Sequence, residues 1–284
     1  MTSTGLVWFR RDLRLADNPA WDGATSTHDR VTALYVLDER MLRAAGELRR
    51  TQHLAELQSL DEQLATLGGR LMVRAGDPRR VVPEVAIRLG ASEVHWNDDV
   101  GPFATARDAA VRAALDVPVT SWWGHLVQPP GSVLTAEGRV PRVFTAFHRR
   151  WNRTPWVPWP TGGDAAVDDD PGDGVPPRRG APPRTPGELA AQEALARWVE
   201  EPVEEYTSGR DDLSRSATSR LSVALRFGTI SPREVVAAVG DSSADRAAFA
   251  RQLAWRDWYA HLLHERPDMV RAAVRPEYDR IEWR

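Results

Sequence analysis

Cysteine and lysine are both missing from the sequence. The lack of cysteine excludes disulfides, thiolate nucleophiles and Cys-ligated zinc or iron–sulfur centres. All 37 basic residues are arginine, so neither a Schiff-base lysine nor a P-loop lysine can exist in this chain. A chain without thiols suits a reducing compartment, and we expect a cytoplasmic protein.

Long apolar runs are scarce as well. The opening MTSTGLVWFRRDLR becomes basic after a short apolar stretch, which predicts no secretory signal, and no later run has the length of a membrane span. The net charge is −3, so any contact with nucleic acid needs a local basic face. Tryptophan is abundant, with 12 residues. Because the indole ring packs against apolar surroundings, these residues indicate a dense core or a set of stacking platforms.

Strand and helix signals alternate over the first 128 residues. Short apolar runs predict strands at 6–9, 31–37, 71–73, 93–96 and, at the edge, 117–120. Helical spacing predicts helices at 47–67, 79–89 and 108–115. Such alternation is typical of an α/β fold with a doubly wound, mostly parallel, Rossmann-like sheet. Ligands in these folds lie beyond the carboxyl ends of the strands, where the sequence places Arg10, Asp38, Gly76 and Asn97.

A different composition begins at residue 129. The segment from Pro155 to Pro186 is rich in Pro, Gly and Asp, which predicts an interdomain linker of unpaired backbone over residues 129–187. From 188 to 284 the pattern is helical, with segments at 186–199, 216–227 and 243–264. Ser231-Pro232 is a strong helix start.

Three hydroxyls and an arginine crowd the start of the helix predicted to begin near Ala217. The cluster comprises Thr218, Ser219, Arg220, Leu221 and Ser222. The amino end of a helix favours an anion, and the added donors suit a phosphate or pyrophosphate. Plain helix capping is the alternative interpretation.

The last long helix carries a second cluster on one face. Gln252, Trp255, Arg256 and Tyr259 fall at i, i+3, i+4 and i+7. An amide and a guanidinium fit a dry core poorly, whereas this set suits a polar aromatic ligand or an extruded base. The alternative is a helix that buries its tryptophans and leaves arginine at the rim. The i, i+4 pair Tyr206 and Arg210 reads, by itself, as a surface pair.

Several stretches, in order along the chain, resemble the DNA photolyase/cryptochrome family. They are LVWFRRDLRL with Asp17-Asn18-Pro19, LMVRAGDP at 71–78, GSVLT at 131–135, Val143-Phe144-Thr145 with Trp151, TSRLS at 218–222, GTISP at 228–232 and LAWRDWY at 253–259. The order and number of these matches, rather than any one of them, carry the resemblance.

The resemblance implies an α/β antenna domain (1–128), a linker (129–187) and part of an all-helical domain that holds a U-shaped FAD (188–284). It implies FAD contacts from Tyr206, Thr218, Ser219, Arg220, Leu221, Ser222, Phe249 and Arg256. It implies contacts with UV-damaged DNA from Arg210, Gln252, Trp255, Arg256, Trp258 and Tyr259, with Trp255 stacking on a flipped pyrimidine dimer.

The implied activity is light-driven repair, in which reduced flavin passes an electron to the dimer, the cyclobutane ring splits and the electron returns. This chemistry needs no acid–base triad and no metal, and the sequence offers neither, so no catalytic residue is expected within the chain. Many relatives also hold an antenna chromophore, which is a deazaflavin, a folate or a flavin. Arg10, Asn97, Asp98 and Asp99 lie at strand ends suited to it.

Two departures from the family pattern open alternatives. Gln252 stands where many cyclobutane-dimer photolyases carry a glutamate, whereas glutamine is common in cryptochromes and in photolyases for the (6-4) photoproduct. The family also continues beyond the position of Arg284, so we expect a truncated helical domain, completed by a missing C-terminal portion or by a second chain. The alternative functions are a cryptochrome-type photoreceptor without repair and a non-catalytic photolyase-like fragment.

Overall fold

The computed structural model describes residues 2–282, and the last two residues of the predicted helical segment lie outside this range. The strands are β1 (Thr4–Phe9), β2 (Arg30–Leu37), β3 (Leu71–Ala75), β4 (Glu93–Asn97), β5 (Val119–Trp122) and β6 (Ala166–Val167). The helices are α1 (Pro19–Thr27), α2 (Glu39–Ala44), α3 (Glu47–Thr66), α4 (Pro78–Leu89), α5 (Pro102–Ala113), α6 (Phe144–Trp151), α7 (Glu188–Glu200), α8 (Tyr206–Gly209), α9 (Ser222–Phe227), α10 (Pro232–Val239) and α11 (Ala244–Glu265).

All pairings in the sheet are parallel, in the order β3-β2-β1-β4-β5, with β6 pairing to β2. Alternate residues of each strand serve opposite faces. Val7 and Phe9 pack with residues of α1 and α3, whereas Leu6 and Trp8 pack with residues of α4 and α5. The predicted α/β fold with a doubly wound parallel sheet is therefore confirmed, and the strand order reverses between β1 and β4.

The segment predicted to be an unpaired linker contains regular structure. Ala166 and Val167 pair with Arg30 and Val31 of β2, which extends the sheet. Helix α6 also lies in this segment and buries Phe147. The expectation of unpaired backbone was wrong here, because two residues between prolines and aspartates give no periodic signal of a strand.

The helix predicted to span 216–227 is shorter than expected. It begins at Ser222, later than predicted, and ends at Phe227 as predicted. Arg220 adopts φ +56°, in the left-handed region that a right-handed helix cannot include. Thr218 and Ser219 therefore precede the helix instead of forming its first turn.

The loop after β1 joins the α/β part to the helical part. The guanidinium of Arg14 is fully buried and donates to the carbonyl oxygens of Gly228 at 3.1 Å and Gly124 at 2.7 Å. The Glu188 carboxylate of α7 accepts the backbone N–H groups of Leu15 and Ala16 at 2.8 and 3.0 Å. The arginine-rich opening motif therefore forms the joint between the two parts.

Close approach at this joint requires glycine at position 228. A Cβ built on Gly228 would lie 1.9 Å from the carbonyl oxygen of Arg11, and the residue has φ +72°. Among the described residues, none of the helices combines the length and the apolar composition needed to cross a membrane.

Candidate functional site

A cleft of about 390 Å³ opens between α7 and the segment that precedes α9. Its lining includes Trp198 from α7 and Thr218, Ser219, Arg220 and Leu221 from the segment. Four of the five residues of the predicted phosphate cluster therefore face one cavity. Its volume lies within the range of about 300–1,000 Å³ that is usual for small-molecule sites.

The segment offers hydrogen-bond donors to this cleft. Thr218 and Arg220 are exposed, and Ser219 Oγ accepts the Leu221 N–H at 3.4 Å. Within residues 2–282, no hydrogen bond or ion pair engages the Arg220 guanidinium. The positive φ of this arginine lowers the free energy of unfolding by on the order of 1 kcal/mol or more. Strained backbone of this kind clusters at ligand-binding and active sites. The cleft thus combines a free cation with hydroxyl groups, as an anionic ligand requires.

Tyr206 and Phe249, both predicted to contact FAD, pack together in the apolar core of the helical part. Their ring centroids lie 5.3 Å apart with an interplanar angle of 90°. Trp198 contacts both rings, at 6.0 Å from Tyr206 and 5.4 Å from Phe249. Trp198 also lines the cleft, and sequence reasoning missed it although its position on a helix with Leu195 was visible.

Arg256 lies away from this cleft, at the joint with the α/β part. Its guanidinium donates to the carbonyl oxygen of His125 and lies 3.9 Å from Asp257. Burial lowers the pKa of Arg256, and burial with the nearby Arg256 charge lowers the pKa of His125 to about 3. The structure therefore separates Arg256 from the other predicted FAD residues.

Asp257 forms a buried acceptor at the same joint. Its Oδ2 accepts the Gln128 N–H and the Trp151 Nε1–H, both at 2.9 Å. Burial raises the pKa of this carboxyl to about 6, despite the neighbouring Arg256. Asp257 is a polar anchor between α11 and the chain that follows β5.

Three of the predicted DNA-contacting residues of α11 form an aromatic surface with α6, namely Trp255, Trp258 and Tyr259. Arg256, which was predicted to contact DNA as well, lies at the joint instead. Trp255 stacks on Phe144, with ring centroids 3.7 Å apart and an interplanar angle of 12°. Trp258 Nε1 donates to the Pro141 carbonyl at 2.7 Å. Tyr259 is 56% exposed and lies 5.8 Å from the Trp255 ring. One side of Trp255 is therefore covered by Phe144, a contact that the sequence did not reveal.

Two further predicted DNA contacts are polar and exposed. Gln252 lies on the outer surface of α11, and its amide donates to the Ala248 carbonyl of its own helix, at 3.4 Å. The Arg210 guanidinium lies 5.6 Å from the centroid of the Tyr206 ring and 3.6 Å from Asp211. Arg210 thus projects from the end of α8, whereas Gln252 shares the surface of Trp255.

Two of the residues suggested for an antenna chromophore are internal. The Arg10 guanidinium donates to the Asn97 carbonyl and to Asp108, and lies 4.6 Å from the Trp8 ring. The Asn97 amide donates to Asp12 at 2.6 Å and is buried. These two side chains fasten the ends of β1 and β4 together.

Asp98 and Asp99, by contrast, line a cavity of about 440 Å³ beyond the carboxyl end of β4, together with Trp123. Asp98 accepts the Trp96 Nε1–H at 2.9 Å. Burial by itself would raise the pKa of Asp99, but the Arg11 charge 3.0 Å away brings it down to about 2. Three carboxylates therefore line this acidic cavity, together with one guanidinium, that of Arg112.

The chain thus combines a parallel α/β sheet with a helical part that contains a cleft. Comparison with known proteins identifies the family that has this architecture. The DNA photolyase family profile matches residues 5–164. The chain belongs to this family.

Among relatives, an uncharacterized 31.6 kDa protein of Synechococcus sp. is 34% identical over 304 residues, covering 98% of this chain and 97% of that protein. The deoxyribodipyrimidine photo-lyase of Streptomyces griseus is 35% identical over 309 residues, covering 99% of this chain and 65% of the enzyme. The chain thus spans about two thirds of that photolyase and nearly all of the Synechococcus protein.

Solved structures agree with this assignment. A bacterial class III photolyase from Agrobacterium tumefaciens superposes with a TM-score of 0.82 at 28% identity, over 100% of this chain and 64% of its own. An archaeal photolyase from Sulfolobus tokodaii, solved with two FAD molecules and with the implication of a novel light-harvesting cofactor, superposes with a TM-score of 0.83 at 27% identity, over 99% and 64%.

Proposed function

We propose that this chain binds FAD and takes part in the light-driven repair of pyrimidine dimers in UV-damaged DNA. The observation that carries the proposal is the cleft beside α7, where a strained arginine with a free guanidinium stands among hydroxyl groups. Family membership and relatives that are deoxyribodipyrimidine photo-lyases support it.

The residues of the cleft fit the diphosphate portion of a flavin dinucleotide. Arg220 supplies a permanent positive charge, and the Thr218 hydroxyl donates a hydrogen bond. Trp198 forms an apolar wall, which Tyr206 and Phe249 hold in place from behind. When bound and reduced, FAD supplies the photoexcited electron that opens the cyclobutane ring of a dimer.

The aromatic surface of α11 and α6 is proposed to meet the damaged DNA. Trp255 is held by Phe144, and Tyr259 is exposed beside it, so a flipped base would find a preformed stacking platform. Arg251 is exposed on the same helix, with its guanidinium 5.5 Å from the Phe144 ring, and can contact a phosphate.

The division into an antenna domain (1–128), a linker (129–187) and a helical FAD domain (188–284) is part of the same proposal. The acidic cavity at Asp98 and Asp99 is the proposed place for an antenna chromophore. Arg10 and Asn97 would support this cavity from within the fold rather than touch the chromophore. The Arg10 guanidinium is engaged with Asp108 and with the backbone carbonyl of Asn97, and the Asn97 amide is engaged with Asp12.

A repair assay on the full chain tests this proposal. The chain is incubated with FAD, reduced, mixed with an oligonucleotide that carries one thymine dimer, and exposed to blue light. We expect light-dependent loss of the dimer, none in the dark, and a strong decrease for Arg220→Ala. Arg215→Ala is the matched control, since Arg215 is an exposed arginine nearby whose guanidinium pairs with Glu205 outside the cleft.

The second candidate is a blue-light photoreceptor that binds FAD without repair, and Gln252 favours it because an amide can neither carry charge nor supply a proton to the lesion. Flavin binding without any loss of dimers in light would support the photoreceptor and contradict repair. A folded chain that takes up no flavin would contradict both.

A further inference from the structure

Three side chains that the flavin proposal does not use meet at the amino-terminal edge of the sheet. His28 follows the end of α1, and Glu93 and His95 lie on β4. Because Glu93 and His95 are two residues apart on a strand, they project from the same face. We refer to these three residues as the His–Glu–His cluster. The acidic cavity at Asp98 and Asp99 follows the opposite end of β4.

The donor atoms of the cluster form a triangle of the size that a metal ion requires. His28 Nε2 and His95 Nε2 lie 2.9 Å apart, and Glu93 Oε2 lies 3.7 Å from the first and 3.8 Å from the second. Zinc–nitrogen and zinc–oxygen bonds of about 2.0–2.2 Å in a tetrahedral site place neighbouring donors about 3.3 Å apart. A small separation of the two imidazoles would therefore admit an ion.

Neighbouring groups orient the donors toward this point. Glu93 Oε1 accepts the Thr120 hydroxyl, which leaves Oε2 turned to the histidines. Ser92 Oγ donates to the Thr4 carbonyl at 3.1 Å and lies 3.4 Å from His28 Nδ1. With the serine proton on Thr4, His28 Nδ1–H points to Ser92 Oγ, and His28 Nε2 accepts a hydrogen bond from His95 Nε2 at 2.9 Å. A bound ion would replace that hydrogen between the two imidazoles. Such outer contacts are what fix the ligands of metal sites.

Burial of the cluster also suits an ion with one accessible position. The side chains of His28 and His95 are 6% and 2% exposed, whereas Glu93 is 24% exposed. His95 stacks on Trp122, with ring centroids 5.8 Å apart. A Cβ on Gly5 would lie 2.5 Å from the His28 ring, so the glycine in β1 provides the space for that imidazole.

We propose that the His–Glu–His cluster binds a first-row divalent cation, with Zn²⁺ as the best match to two imidazoles and one carboxylate. The ion fastens the end of α1 to β4 and takes a water molecule as its fourth ligand. No metal site was predicted from the sequence, because His28 is remote in sequence from Glu93 and His95 and no motif of zinc spacing is present.

Isothermal titration of the EDTA-treated chain with Zn²⁺ tests this inference. We expect one ion per chain and an affinity that falls by more than about tenfold in Glu93→Gln and in His28→Gln. Glu93→Gln keeps the shape of a partly exposed side chain, and circular dichroism of this variant checks that it is folded. His148→Gln is the matched control, because His148 lies on α6 outside the cluster.

A second readout separates a defined site from loose binding. Zn²⁺ should raise the melting temperature of the wild-type chain and of His148→Gln, but not that of Glu93→Gln. Bound Co²⁺ should give the visible spectrum of a four-coordinate ion. Absence of stoichiometric binding, or equal affinity in the wild type and in both cluster variants, would overturn the proposal, and neither result depends on flavin or repair.

Discussion

At the scale of single residues, Arg220 is the most informative position in the chain. It is one of two non-glycine residues with a positive φ among those described, and it stands in the cleft with its charge unpaired. The positive φ of this residue lowers the free energy of unfolding, and such strain is typical of functional sites. Its strain and its position together support a role in binding an anion.

Replacement of Arg220 by glycine should separate stability from binding. Glycine adopts the positive φ without strain, so Arg220→Gly should raise the free energy of unfolding by about 1 kcal/mol, as measured by urea denaturation. The same variant should bind FAD more weakly, since it lacks the guanidinium. A variant that loses stability, or that binds FAD as well as the wild type, would contradict the role given to Arg220.

Asp257 gives a prediction about pH. Burial raises the pKa of this carboxyl from 3.8 to about 6 in the folded chain. Between about pH 4 and 6 the folded state thus keeps a proton that the unfolded state has lost, so the contribution of Asp257 to stability falls as the pH rises through this window and is constant above it.

Asp257→Asn should abolish the pH-dependent contribution of this carboxyl to the free energy of unfolding. The free energy of unfolding of the wild type relative to the variant should decrease by on the order of 2 kcal/mol between pH 4 and 6, measured by denaturant titration at each pH. Asp116→Asn, at an exposed site, is the control substitution. A difference between wild type and Asp257→Asn that stays constant with pH would disprove the buried, protonated carboxyl.

At the scale of secondary-structure elements, the contact between α6 and α11 determines how the aromatic surface is presented. Trp255 and Phe144 stack at 3.7 Å, and Arg251 lies over the same phenyl ring. Two helices from distant parts of the chain thus build one platform. The stacking of a base on this platform is therefore expected to depend on the contact between Phe144 and Trp255 as well as on Trp255 itself.

Trp255→Ala should weaken binding to dimer-containing DNA by about tenfold or more, since stacking of one base on an aromatic ring contributes roughly 1–3 kcal/mol. Fluorescence anisotropy with damaged and undamaged oligonucleotides measures this, and flavin content should change little. Phe144→Leu, which keeps Trp255 but removes its partner, should have a smaller effect. Unchanged affinity in Trp255→Ala would remove this residue from the DNA interface.

Elements with strong periodicity could be predicted from the sequence, whereas short or irregular ones could not. The leucines of α3 and the β-branched run of β2 gave the expected bounds within about a residue or two. Helix α1 escaped prediction because Ala, Gly and Thr dominate it, although Asn18 caps it and Pro19 begins it. The late start of α9 depends on the backbone of Arg220, and no composition signals a left-handed arginine.

The site residues, too, could be predicted where they are close in sequence, but not where tertiary contact brings them together. The TSRLS segment was expected to gather in one place, and the structure brings four of its residues to one cleft. Arg256 could not be separated from this group by spacing alone, because its partner His125 comes from the other part of the chain. The His–Glu–His cluster was hidden for the same reason, since tertiary contact alone brings His28 to β4.

At the scale of the whole molecule, two parts are joined by buried polar contacts. Arg14 and Glu188 bind backbone groups across the joint, and Asp257 fixes α11 to the chain after β5. Because buried charges of this kind are costly unless paired, the two parts are expected to hold one arrangement rather than move independently. The cleft of the helical part is therefore expected to keep one position relative to the α/β part.

The visible absorption spectrum of the purified chain, taken after incubation with FAD and removal of free dye, tests the central claim most directly. We predict a retained flavin band in the wild type and in Arg215→Ala, and its loss in Arg220→Ala. A folded wild-type chain without a flavin band, or an Arg220→Ala variant that keeps the full band, would contradict the assignment of the cleft to FAD.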